Sequence, residues 1–167
     1  MLLSKRTAFL SVSTVLCVLF MIFGSFIRTN TIFFTLFASV FVMLGVFEHK
    51  ISGGVLVYAA SSILGFFLVS DKNVLIFFAL FFGYYPILKA LIERINNIVI
   101  EWILKIALGS AAFFILYFLF TNLFVAAEIK LPFVALFFAS AVLFVVYDTA
   151  LSLFLKFYIE RIKPHIK

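Results

Sequence analysis

Gly83-Tyr84-Tyr85-Pro86-Ile87-Leu88-Lys89, continuing into Ala90-Leu91-Ile92-Glu93-Arg94-Ile95, is the stretch whose reading decides the fold. The run before it, Val74 to Phe82, has no polar side chain. The segment therefore reads as a membrane helix that meets a proline, two phenol rings and a burst of charge as it leaves the bilayer. Gly83 and Pro86 mark an expected kink, because proline removes a backbone donor and frees the carbonyl four residues earlier, that of Phe82. Such a kink either lines a cavity or simply bends the helix to fit its neighbours. Tyr84 and Tyr85 stand about 100° apart around a helix, so one of them at most faces inward. Part of the stretch recurs: Leu88-Lys89-x-x-Ile92-Glu93-Arg94-Ile95 matches Leu155-Lys156-x-x-Ile159-Glu160-Arg161-Ile162. In each copy Lys and Glu stand four apart on one helix face, a pair worth a few tenths of a kcal/mol.

Composition places the whole chain in the same environment. Of 167 residues, 66% are hydrophobic and 12% charged, with a mean hydropathy of +1.31. Soluble domains are roughly 45–50% apolar and 25% charged, so this is an all-α polytopic membrane protein, read as a single integral domain over 1–167. The net charge of +6 is accounted for by basic residues at membrane boundaries. No continuous basic patch points to nucleic acid. The lone Cys17 permits no intramolecular disulfide or multi-cysteine metal site, and His49 and His165 are too isolated to suggest a metal. Twenty-six Phe residues, with many Ile, Lys and Asn, fit an AT-rich genome and hence a low-GC bacterium.

Working outward, six apolar runs emerge, at about 7–27, 31–47, 51–69, 74–91, 102–124 and 133–155. Lys5 and Arg6 before the first run resemble a signal-peptide n-region, but the run's length and the spans after it argue for a retained helix. Arg28-Thr29-Asn30, Glu48-His49-Lys50, Ser70-Asp71-Lys72-Asn73 and Ala126 to Pro132 read as connections. The third run carries Gly53, Gly54, Ala59, Ala60, Ser61, Ser62 and Gly65, which permits close helix approach. Ile92 to Glu101 reads as an interfacial helical link, because Ile92, Ile95, Val99 and Trp102 recur at three- and four-residue steps. Residues 156–167 form a basic tail. Counted over alternate connections, Lys5, Arg6, Lys50, Lys89, Arg94, Lys105, Lys156, Arg161, Lys163 and Lys167 fall on one side, against Arg28, Lys72 and Lys130 on the other. That asymmetry puts both termini in the cytoplasm of a multi-pass protein of the bacterial cytoplasmic membrane.

Asp148 is the one acid deep inside a span, and an ionisable group there costs about 2.5–3.5 kcal/mol on insertion scales. It either glues helices together or contacts a ligand or proton. If the two repeat copies mark equal depths, Lys89 is level with Lys156 and roughly 12 Å above Asp148, beyond easy reach. The expected partners are hydroxyls at middle depth: Ser110, Ser61 or Ser62, or Ser11, Ser13 and Thr14. On that reading Asp148 is neutral, makes no ion pair with Lys89, and tolerates replacement by Asn. Asp148, Ser110, Ser61, Ser62 and Tyr85 are thus the candidate ligand-binding or core polar residues. No Gly-x-Ser-x-Gly, His-Glu-x-x-His or phosphate-binding glycine loop is present, which argues against an enzyme and implies no cofactor or metal.

In size, six spans, cytoplasmic ends and small-residue faces such as Ser61-x-x-x-Gly65 and Ala107-x-x-x-Ala111, the chain resembles the substrate-binding S components of energy-coupling factor transporters. The resemblance implies a subunit that binds a small molecule and works with a membrane coupling protein and ATPases. Lys89, Glu93, Arg94, Lys156, Glu160 and Arg161 would then contribute to the cytoplasmic docking face. The family's Ala-x-x-x-Ala pattern on helix one is absent here, where Ala8 is followed by Val12. The alternative is a non-transport scaffold that recruits partners, as in cell-shape proteins of the MreD type, which share the general format.

Overall fold

The computed structural model describes residues 2–27, 30–95, 97–122 and 133–163. Arg28, Thr29, the connection expected at 126–132 with Lys130, and the tail beyond Lys163 with His165 and Lys167 lie outside the described residues. Among the described residues the protein is all-helical, with no strand. Helix α1 is Leu2–Phe26 and α2 is Thr31–Leu68. The next helical unit is α3 (Lys72–Phe77), a π-helical segment (Phe78–Phe82) and α4 (Tyr85–Ile92), closed by a 3-10 turn at Glu93–Ile95. Helices α5 (Ile98–Asn122) and α6 (Phe133–Phe157) follow, and a π turn, Tyr158–Ile162, extends α6. Among the described residues, five helical segments are long and apolar enough to cross a membrane.

Helix α2 is a hairpin. Its backbone leaves helical geometry at His49 and Lys50, and Lys50 takes φ 60° and ψ −167°. That conformation is nearly confined to glycine and costs about 1–3 kcal/mol in a lysine. The arms on either side press together. A Cβ on Gly53 would stand 2.5 Å from the Gly45 carbonyl oxygen, and one on Gly54 would stand 2.2 Å from Cγ2 of Val46. Residues eight apart touch this way only if the chain reverses, since in a continuous helix they lie about 12 Å apart. Gly53 and Gly54 of the third apolar run thus serve close approach. Gly65 does the same against α1, where a Cβ would come within 2.7 Å of Cε of Met21.

Alternate connections gather at opposite ends. Ser25, Asn30, Ser70 and Asp71 share one recess, whereas Lys50, Arg94 and Leu155 line a single cleft. Arg6 donates to Ser52 at 3.1 Å, tying the start of α1 to the hairpin turn. One core joins α1, both α2 arms, α3 and the π segment through Cys17, Met21, Val42, Val57, Val74 and Phe78. A second joins the first α2 arm, the π segment, α4 and α6 through Met43, Phe82, Tyr85, Phe144, Tyr147 and Leu151.

The kink appears where expected and takes a specific form. Gly83 N–H bonds to the Phe78 carbonyl at 2.7 Å across a π turn, and Pro86 opens α4. The Phe82 carbonyl that Pro86 frees is met by the Tyr147 hydroxyl at 3.1 Å, and the Tyr58 hydroxyl donates to the Ala79 carbonyl at 2.8 Å. Two phenols from neighbouring helices therefore satisfy the irregular backbone, as its burial requires. Tyr85 is buried and Tyr84 is not. The link after Ile92 is mostly helical: a 3-10 turn, then α5 from Ile98, whose first amides at Val99 and Ile100 are accepted by Asn97 Oδ1. Helix α5 so begins earlier than the span edge at Trp102 suggests.

Replacing Gly53 by Ala is expected to destabilise the protein by about 1–3 kcal/mol, because the nearest obstacle is backbone. Ala59→Leu on the exposed face of the same arm is expected to stay within about 0.5 kcal/mol. Unfolding midpoints in a mild detergent would check the difference.

Candidate functional site

Asp148 sits in α6 one residue past Tyr147 and faces α4 and α5. Its Oδ1 accepts from the Tyr85 hydroxyl at 2.6 Å and from Lys89 Nζ, and its Oδ2 accepts from Lys105 Nζ at 3.1 Å. Lys89 also donates to Glu93 Oε1 at 2.9 Å and to the Asp148 backbone carbonyl at 3.3 Å. Lys105 donates to Glu101 Oε1 at 2.6 Å and reaches Glu93 Oε1 at 3.3 Å. Each ammonium group has three donors, and here all three on each lysine find an acceptor. Both lysines are almost wholly inaccessible, at 1% for Lys89 and 3% for Lys105. Two cations and three carboxylates thus form one saturated network that joins α4, α5 and α6.

The expected neutral, hydroxyl-bonded Asp148 is overturned. Its side chain is held by two lysines and a tyrosine, and Lys89 is in direct contact with it. Both copies line one cleft, with Lys89, Glu93, Ser152, Lys156 and Glu160, but matching local sequence does not bring matching surroundings. Lys89 lies beside Asp148 and Ser152, while Lys156 is 71% exposed and pairs loosely with Glu160 at 4.0 Å. Lys89 is therefore a core residue and is not available to a docking face. Lys105 is one too.

The expected hydroxyl partners lie elsewhere. Ser110 lines a small space between α5 and α6 with Gly109, Ser140 and Phe144. Ser61 and Ser62 keep buried hydroxyls in the second α2 arm and make no bond to Asp148. Thr14 donates to the Leu10 carbonyl at 2.8 Å within its own helix. Of the expected docking residues, Glu93 is 40% exposed and turned partly inward to both lysines, whereas Arg94, Glu160 and Arg161 are exposed. Lys105 and Glu101 escaped the sequence reading. The usable signal was the second i, i+4 acid–base pair, Glu101 with Lys105, facing the pair Lys89 with Glu93 across a short hinge.

The network lies within a file of adjoining spaces. At the far end is an open recess of about 990 Å³ lined by Ser25, Asn30, Thr31, Ser70, Asp71 and Asn73. Its walls are fixed: the Asp71 amide donates to Ser25 Oγ, Asp71 Oδ1 caps α3 at the Asn73 amide, and Lys72 Nζ donates to the Phe66 and Val69 carbonyls. Asn73 Oδ1 is buried and accepts no hydrogen bond among the described residues. Ile32, Phe77 and Leu143 are shared by the recess and an apolar cavity of about 180 Å³, which is also lined by Phe81, Phe82, Phe113, Phe144 and Tyr147. Tyr85 packs edge-on to Phe144 at 5.1 Å and tilts against Tyr147 at 5.2 Å, so the aromatic wall runs directly into the ion network. Beyond it, Lys89 and Glu93 line the cleft at the opposite end, about 260 Å³.

No group of three or more His, Cys, Asp or Glu side chains placed to hold a metal ion occurs among the described residues. Comparison with known protein families, characterised proteins and solved structures finds no match.

Removing one member of a saturated buried network strands the others, at a typical cost of 3–5 kcal/mol. Asp148→Leu is expected to lose about that much, and Asp148→Asn, which keeps the shape but takes the charged acceptor out from between the two ammonium groups, is expected to destabilise as well. A double-mutant cycle of Asp148→Asn with Lys105→Gln is expected to show coupling above about 1 kcal/mol. Additive effects would place the two side chains outside contact.

Proposed function

We propose that the chain is a six-pass membrane subunit with cytoplasmic ends that binds a small molecule in its outward recess. It works with a separate energising module, in the manner of the S components it resembles. The observation that supports this most is the file of adjoining spaces from polar recess through aromatic cavity to buried ion network and opposite cleft. Buried ionisable groups inside membrane segments commonly mark solute or ion pathways. The unfilled acceptor at Asn73 Oδ1 offers a ligand donor a place in the recess.

The topology rests on charge. Counting the α2 hairpin as two passes, and α3 with its π segment and α4 as one, gives six. With Lys89 and Lys105 taken out as core residues, the basic asymmetry over the whole sequence is eight to three and still places the termini inside. Reporter fusions after Lys163 and within Ser70 to Asn73 are expected to report opposite sides. A common side would break the six-pass arrangement.

The scaffold reading has one observation of its own, the exposed Ala107 and Ala111, four apart on α5, where a partner helix could pack closely. Mass spectrometry of solvent extracts from the purified protein separates the two readings. A small molecule recovered near one per chain, whose re-addition at about a hundredfold over its Kd stabilises the fold by about 2.7 kcal/mol, is the expected result. Asn73→Leu is expected to weaken that binding at least about tenfold, the loss of roughly one hydrogen bond to a buried acceptor. Recovery of stoichiometric protein partners without any small molecule would favour the scaffold.

A further inference from the structure

The hairpin turn carries a feature that solute binding does not use. Lys50 occupies a backbone conformation suited to glycine, and its side chain lines a cleft of about 260 Å³ with Arg94 opposite. Neither cation makes a hydrogen bond or ion pair among the described residues. The floor between them is apolar: Met43, Val46, Phe47 and Leu155. Glu93 also lines the cleft, but its carboxylate is already held by Lys89 at 2.9 Å and Lys105 at 3.3 Å, so it does not neutralise the pair above it. Two free cations over a greasy floor, at the end where the chain's basic residues collect, complement a group that is anionic at one end and apolar at the other.

We propose that this cleft is a binding site for the headgroup phosphate of an anionic phospholipid, with Lys50 and Arg94 as its two phosphate contacts. The cleft holds a headgroup and the start of its acyl chains, whose remainder runs along the exposed apolar surface outside. Basic pockets between membrane helices on the cytoplasmic side take lipid headgroups in this way. The strain at Lys50 fits the assignment, because a glycine would relieve the backbone and lose the phosphate contact. The site depends on the chain lying in a membrane and not on the solute reading, so failure of either leaves the other standing.

Native mass spectrometry of the full chain in detergent, after incubation with phosphatidylglycerol or with phosphatidylcholine of the same acyl chains, tests the proposal. One phosphatidylglycerol retained per protein, at least tenfold in preference to phosphatidylcholine, is the expected result. Lys50→Gln with Arg94→Gln should remove that preference, whereas Lys5→Gln, an exposed cation elsewhere on the chain, should not. Lys50→Gly keeps the test independent of folding: it should raise the unfolding midpoint while lowering phosphatidylglycerol retention. Equal retention of the two lipids, retention unaffected by the Lys50 and Arg94 changes, or equal loss with Lys5→Gln would overturn the site. Displacement of the lipid by millimolar inorganic phosphate would reassign it to a free anion and equally overturn the lipid.

Discussion

Everything at the centre of this protein depends on Asp148 lying between two ammonium groups. Five of its helical segments, among the described residues, are long and apolar enough to cross a membrane, and for helices surrounded by lipid a leucine would have no strong preference between a neighbouring helix and an acyl chain. Directional interactions must then choose one packing among many. Helix α5 shows the point: of its described side chains only Lys105 and Ala112 are buried, while Ile98, Val99, Ile103 and Ile106 face outward. A cation, more than an apolar stripe, fixes where this helix sits. Burial of so many charges is tolerable because both lysines are saturated with acceptors, the condition under which a polar network specifies a structure and does not merely destabilise it.

The irregular helix above the network follows from the same demand. The π segment at Phe78–Phe82 and the restart at Pro86 alter the helical course so that Tyr85 and Lys89, four apart, both reach Asp148. Backbone groups released by that break are met by Tyr58 and Tyr147. Tyr147 also lies 2.9 Å from Ser39 Oγ on the first α2 arm, so one phenol ties α6 to α2 and to the kink. The aromatic cavity lies between these fixed points. Any molecule passing from the polar recess would meet its rings before it met a charge.

Much of this was legible in the residues. The polar triplet Glu48-His49-Lys50 between two apolar runs announces the reversal, and the glycines after it announce how close the arms come. Pro86 identifies the Phe82 carbonyl as the one in need of a donor, and adjacent tyrosines about 100° apart require a choice that falls on Tyr85. The surroundings of Lys89 were not legible from the short repeat: Lys89 and Lys156 stand in copies that match at six positions, yet one is buried against Asp148 and the other exposed, because a neighbouring helix and not the local sequence supplies the carboxylate. Lys105 counts with the boundary cations in the sequence because the stretch before it alternates polar groups with Ile, Val and Trp102, as an interfacial link does. Its partner Glu93 lies across a hinge whose angle no local pattern encodes.

The contact between Asp148 and its lysines is open to direct observation, since the sequence has two aspartates, Asp71 and Asp148. Solid-state NMR of the protein in lipid bilayers, with 13C-labelled aspartate carboxyls and 15N-labelled lysine ammonium groups, measures dipolar coupling between them. One carboxyl signal, lost on replacing Asp148 by Asn, should dephase with a nitrogen distance under about 4 Å and carry the chemical shift of a carboxylate. If neither aspartate dephases, and the Asp148 carboxyl shows the shift of a neutral acid, the ion network does not exist and the account built on it is wrong.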